Sequence, residues 1–191
     1  PYYGPACFVN TPNPVSTIGA QCGTTLTAMN QSITTTSVTS VTAYTFRVTQ
    51  MDATGTTAVG APQTTTQGLN KFNMTQLSGI LFGTWYKVEV SLRNVDGVFL
   101  PYNAGCNIKT PAYPTTQVRD AQCNNYQAIS NTESINADVV STANMYRFRL
   151  TSSSQPYDFT YDTTFNKFSL NKFPGLIPGE TYTVEVSIRV N

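Results

Sequence analysis

Four cysteines are the residues best equipped for chemistry: Cys7, Cys22, Cys106 and Cys123. An even set of thiols is compatible with disulfides, and hence with an oxidising compartment. Four thiolates also suit zinc, but no Cys-x-x-Cys pair occurs and the chain has no histidine. That spacing argues against a structural zinc site, so neither a metal nor a cofactor is expected. The lack of histidine also removes the commonest general base. The ten carboxylates are scattered. Asp96, Asp120, Asp138 and Asp158 share no motif, and no calcium-loop spacing occurs. The expectation is a protein that is not an enzyme.

The composition says what must position these residues. Charged residues make up 11% of the 191, and the net charge is +1. That balance offers no basic face for nucleic acid. Aromatic residues make up 12%, enough to build real cores. Threonine is everywhere, with runs at Thr34-Thr35-Thr36 and Thr64-Thr65-Thr66. Thr, Val, Tyr and Phe suit a half-buried pleated surface, and no window shows convincing 3.6-residue periodicity. The chain reads as all-β. It has no apolar stretch of the ~18 residues a membrane-spanning helix needs. It has no Met start and no signal peptide, so it reads as a fragment of a longer polypeptide.

An internal repeat organises the chain. Pro1-Tyr2…Cys7-Phe8-Val9-Asn10-Thr11-Pro12 matches Pro101-Tyr102…Cys106-Asn107-Ile108-Lys109-Thr110-Pro111. Ala20-Gln21-Cys22 matches Ala121-Gln122-Cys123. Tyr44 to Thr49 matches Tyr146 to Thr151 at an offset of 102, and Gly83 to Arg93 matches Gly179 to Arg189 at an offset of 96. The six-residue difference falls in a polar stretch, Gln50 to Asn70 against Ser152 to Asn166, which marks a variable loop. A period near 100 residues fits whole domains strung in tandem rather than a solenoid. The expected divisions are the last strand of a preceding repeat (1–12), a complete β-sandwich (13–111), and a second sandwich lacking its last strand (112–191).

Strands are legible by alternation. Tyr44, Phe46 and Val48 face one way, and Thr45 and Arg47 the other. Tyr86, Val88, Val90 and Leu92 face in, while Lys87, Glu89, Ser91 and Arg93 face out. A period of two marks a sheet with one wet face. Turn signals separate the strands at Ser78-Gly79, Asp96-Gly97, Pro174-Gly175 and Pro178-Gly179.

The block Phe168 to Val186, with its Leu176-Ile177-Pro178-Gly179-Glu180-Thr181-Tyr182-Thr183-Val184-Glu185-Val186 run, resembles fibronectin type III domains. The resemblance covers about 25 residues per repeat. It implies tandem seven-stranded antiparallel sandwiches of immunoglobulin or fibronectin type III kind. It also implies that Tyr86 and Tyr182 are tyrosine-corner residues. The family's tryptophan on its second strand is missing; Ile33 to Val38 and Ile135 to Val140 stand there instead.

A narrower pattern combines the Ala-Gln-Cys start, Tyr-x-Phe-Arg-(Val/Leu)-Thr, Tyr-x-Val-Glu-Val-Ser and the Cys-x-(Val/Ile)-x-Thr-Pro close. It is similar to the repeats of very large surface proteins of gliding and marine Bacteroidetes, exported by type IX secretion. That resemblance implies an exported bacterial cell-surface protein, not itself membrane-spanning, serving as an adhesin stalk in attachment or gliding motility. Its implied partners are neighbouring repeats and surface polysaccharide or another solid surface.

Within such a sandwich the first and last strands lie close, which favours Cys22 with Cys106; this pairing closes 83 residues and is worth ~4–5 kcal/mol on the chain-entropy account. The alternative joins Cys7 to Cys22 and Cys106 to Cys123. Arg47 with Glu89, and Arg149 with Glu185, are expected as cross-strand ion pairs. Trp85, whose repeat mate is Thr181, is a candidate ligand contact through stacking on a sugar, the other reading being packing against the neighbouring domain. Two rival functions remain: an accessory module of a secreted polysaccharide-degrading enzyme, and a subunit of a viral or extracellular fibre.

Overall fold

A computed structural model describes residues 7–8, 14–124 and 126–190. Segment 1–12, expected to be the last strand of a preceding repeat, lies outside the described residues apart from Cys7 and Phe8, which are both exposed. The chain divides into two compact units, Pro1–Tyr113 and Pro114–Asn191.

The first unit contains β1 (Ile33–Thr34), β2 (Val41–Gln50), β3 (Gln63–Gln67), β4 (Lys71–Phe72), β5 (Trp85–Asn94) and β6 (Cys106–Lys109). The second contains β7 (Ser134–Asn136), β8 (Ala143–Thr151), β9 (Asp158–Thr163), β10 (Lys167–Ser169) and β11 (Thr183–Val190). In the first unit the large sheet runs β3-β2-β5-β6, and β1 pairs with β4 in the small one. In the second unit the orders are β9-β8-β11 and β7-β10. Every ladder between these strands is antiparallel. The fold is an all-β antiparallel sandwich, built twice.

The alternation of the sequence explains each core. Tyr44, Phe46 and Val48 of β2 and Tyr86, Val88, Val90 and Leu92 of β5 are buried, together with Ile33 and Phe72 from the small sheet. Phe46 stacks on Phe72 with ring centroids 4.5 Å apart, and Phe148 meets Phe168 at 4.6 Å. An aromatic pair joining the two sheets thus occupies the centre of each sandwich. Removing surface of that size from water is the main driving force for each unit.

Seven regular strands per unit are not reached among the described residues. Where a first strand is expected there are single bridges, Ile18–Thr35 and Val118–Ala137. In the first unit Pro14 lacks an N–H donor, and a turn begins just after Gly19, so only a short stretch can join the ladder. The six-residue length difference falls in the connection from β2 to β3 (51–62), whose counterpart from β8 to β9 spans 152–157.

Phe46→Ala and Phe148→Ala should each lower stability by about 3–5 kcal/mol. Urea unfolding checks this, with Phe8→Ala as the control expected to change nothing, since Phe8 is fully exposed.

Candidate functional site

The outer face of the first unit's large sheet carries its most ordered charges. Antiparallel register sets Arg47 of β2 opposite Glu89 of β5. Arg47 Nε donates to Glu89 Oε2 at 2.7 Å, and Lys87 Nζ lies 3.1 Å from Glu89 Oε1. Glu89 is nevertheless 7% exposed. The segment between β5 and β6 covers it. The Arg47 guanidinium carbon lies 4.0 Å from the centroid of the Tyr102 ring, a cation–π contact. The Asn103 side-chain oxygen accepts from the Val90 N–H at 3.0 Å. Gly105, at φ +69°, passes so close that a Cβ there would fall 2.7 Å from the Val88 carbonyl oxygen. Only glycine tolerates both that conformation and that approach. Burial pushes the Glu89 pKa up, but the hydrogen bonds and charges of Arg47 and Lys87 outweigh it and hold the carboxyl below its ordinary value.

The second unit repeats the register, with Glu185 opposite Arg149. Arg149 Nη1 reaches Glu185 at 3.1 Å, but both side chains are about half exposed. Two further carboxylates lie beside this pair. Asp158 is 2.7 Å from Arg149, and Asp162 is 2.7 Å from Arg147, both from the neighbouring strand β9. The hydrogen bonds from these arginines hold Asp158 and Asp162 below the usual aspartate range. The spacing was a usable signal: Asp158 and Asp162, four apart on a strand, share a face.

The cysteines are all thiols here. The Cys22 and Cys106 side chains are neighbours, and the Cys106 pKa is pushed up to about 12, first by burial and then by Cys22. The backbone holds them there: the Gly23 N–H donates to the Asn107 carbonyl and the Leu26 N–H to the Lys109 carbonyl, each at 2.8 Å. Cys123 instead donates to the Val118 carbonyl at 3.4 Å, and Cys7 is exposed.

Tyr86 accepts a hydrogen bond from the Leu81 N–H at 2.9 Å, and Tyr182 accepts one from the Ile177 N–H at 2.9 Å. A second clamp was not foreseen: Tyr44 accepts from the Val38 N–H at 3.0 Å, and Tyr146 from the Val140 N–H at 2.9 Å. The signal was a tyrosine six residues after a valine in both repeats. Trp85 is half-buried beneath its own unit's β2–β3 connection. A Cβ on Gly55 would lie 3.2 Å from the indole, and the Lys109 ammonium is 5.7 Å from its centroid. That connection is pinned by Asp52. Its carboxylate accepts from the Thr56 N–H and the Thr54 hydroxyl, each at 2.9 Å, which holds its pKa far below the ordinary value. Beside it, Arg47, Met51, Thr56, Pro62, Lys87 and Asn107 line an open groove. Among the described residues no group of three metal-ligating side chains comes together.

No family model matches the chain, and no curated protein matches it. Among solved structures it is similar to the three-domain fragment of chicken CNTN1 described as its FN1-FN3 domains. Identity is 12%, the TM-score is 0.35, and the match covers 90% of this chain and 58% of that one. The chain therefore spans little more than half the length of that structure. The fold assignment stands on strand order and register.

Trp85 is the single tryptophan and reports the first unit alone. Arg47→Met, leaving a buried carboxylate short of its main partner, should cost about 1.5–3 kcal/mol by Trp85 fluorescence in urea. Arg149→Met should cost less, read in the same urea series by circular dichroism, because water already solvates Glu185 and Asp158. Glu89 has a folded pKa below its unfolded one. Its contribution is therefore present above the ordinary value of 4.5 and is lost as pH falls through the folded value. An acid titration of Trp85 fluorescence should show this loss in the parent chain and a weaker one in Arg47→Met.

Proposed function

We propose that the chain is a repetitive stalk or adhesive segment of a large extracellular, cell-surface protein. It holds a distal tip away from the surface or contributes to attachment, including attachment during gliding, and it works without catalysis. One observation carries this reading. The two units keep the same strand order, the same aromatic pair and the same tyrosine clamps, while their outer faces are rebuilt from different residues. Lys87 joins the arginine–glutamate pair in one, where the second unit has Thr183; Asp158 joins it in the other, with a separate Arg147–Asp162 pair on the same strands. Repetition that preserves the scaffold and lets the surface drift suits spacing better than a shared binding pocket.

The thiol geometry supports the oxidising location of that reading, with Cys22 and Cys106 as the disulfide of the first unit. Peptide mapping of the exported protein under non-reducing conditions should recover Cys22 joined to Cys106. Recovery of Cys7 joined to Cys22 would favour the linker pairing instead.

An antibody raised against these 191 residues should label intact source cells and reduce their attachment to a solid surface. Antigen found only in the medium or on particles would overturn the stalk reading.

A further inference from the structure

The two outer faces differ in how their arginines are satisfied. In the second unit Arg149 uses its whole fork. Its Nε and Nη2 hold the two oxygens of Asp158 at 2.8 and 2.7 Å, and Nη1 reaches Glu185 at 3.1 Å. In the first unit Arg47 reaches Glu89 through Nε alone, and among the described residues its terminal nitrogens make no hydrogen bond. The cause lies in the sequence. Thr64 sits opposite Arg47 as Thr160 sits opposite Arg149, so Pro62 stands where the second unit has Asp158, and Thr66 where it has Asp162. Lys87, where the second unit has Thr183, adds a further cation. Around Arg149 one cation meets two carboxylates, whereas around Glu89 two cations meet one.

Arg47 and Lys87 both line the groove beside the β2–β3 connection, whose volume of about 590 Å³ is that of a small-molecule site. The longer connection of the first unit builds its wall. Asn107 Nδ2 holds that wall by donating to the Gly55 carbonyl at 2.6 Å, while the Asp52 carboxylate is turned into its own loop, onto Thr54 and Thr56. Thr49 and Thr56 bring hydroxyls to the groove, and Met51 and Pro62 bring apolar surface. We propose that this groove binds an acidic saccharide, with the carboxylate of a uronic acid ring on Arg47 and Lys87. Asp158 shows the chemistry within the same chain: a carboxylate arriving from the β9 side is held at this arginine position by two charge-assisted hydrogen bonds. The threonine hydroxyls match ring hydroxyls, and Met51 and Pro62 match the C–H face of a ring. The strands beneath, β2 and β5, lie inside the sheet, so the groove offers a peptide no free edge to pair with. This inference deepens the adhesive reading above and rests on it for its role at the cell surface.

Calorimetry of the 191-residue chain with trigalacturonate in low-salt buffer tests this. Binding should be saturable and should weaken as salt is added. The methyl ester of the same trisaccharide, which keeps the rings and loses the charge, should not bind. Lys87→Thr and Pro62→Asp bring the second unit's residues into the groove, and each should weaken binding about tenfold, the worth of one hydrogen bond to a charged group. Trp85 fluorescence in urea checks that both variants keep the first unit folded, and the ester comparison needs no variant. A parent chain that does not bind trigalacturonate would overturn the proposal. So would equal binding of the methyl ester, indifference to both variants, or equal binding of triglutamate, which would make the partner an acidic peptide. Antibody labelling of cells without trigalacturonate binding would sink the groove and leave the stalk. Binding without labelling would do the reverse.

Discussion

Each sandwich is organised around one long antiparallel pair, β2 with β5 and β8 with β11. The pair does two jobs because side chains alternate along it. Its inner face presents the aromatic and branched residues that the small sheet must cover. Its outer face sets arginine opposite glutamate, and this happens only if the register is correct. A slip of one residue would turn Phe46 to water and Arg47 to the core, so core and ion pair specify the same alignment. The small sheets contribute few backbone bonds. They are held to the large ones chiefly through Phe72 and Phe168 meeting Phe46 and Phe148.

Against that common frame, the two copies show what neighbours do to one sequence. Tyr-x-Val-Glu-Val-Ser occurs in both, yet Glu89 is buried and Glu185 is not. In the first unit Tyr102 lies on Arg47 and Gly105 passes over Glu89. A buried carboxylate needs its partners, whereas an exposed one exchanges them readily with water. The second unit carries a wetter ladder of two arginines and three carboxylates.

Much of this was legible from residues alone. Period-two runs marked β2, β5, β8 and β11, and the repeat marked the two units and the variable connection. The Arg47–Glu89 register followed from which residues face outward on adjoining strands. Less visible were features that depend on distant backbone. Asp158 looked idle because its partner, Arg149, sits on another strand. Nothing local says that Tyr102 lies on Arg47. Among the described residues the first strand of each unit is a single bridge, Ile18–Thr35 and Val118–Ala137. What packs on Trp85 was not legible either: the Gly55 turn, itself pinned by Asp52, lies against it.

The closeness of Cys22 and Cys106 has a mechanical meaning for a chain that is pulled from its ends. The two thiols bracket nearly the whole first sandwich. As thiols, they leave 83 intervening residues free to unravel under load, and a fully drawn stretch of that length spans roughly 280 Å. Joined, they divert the tension across a single covalent link, and the sandwich between them is bypassed. Redox state would thus decide whether this domain acts as an extensible shock absorber or as an inextensible bead.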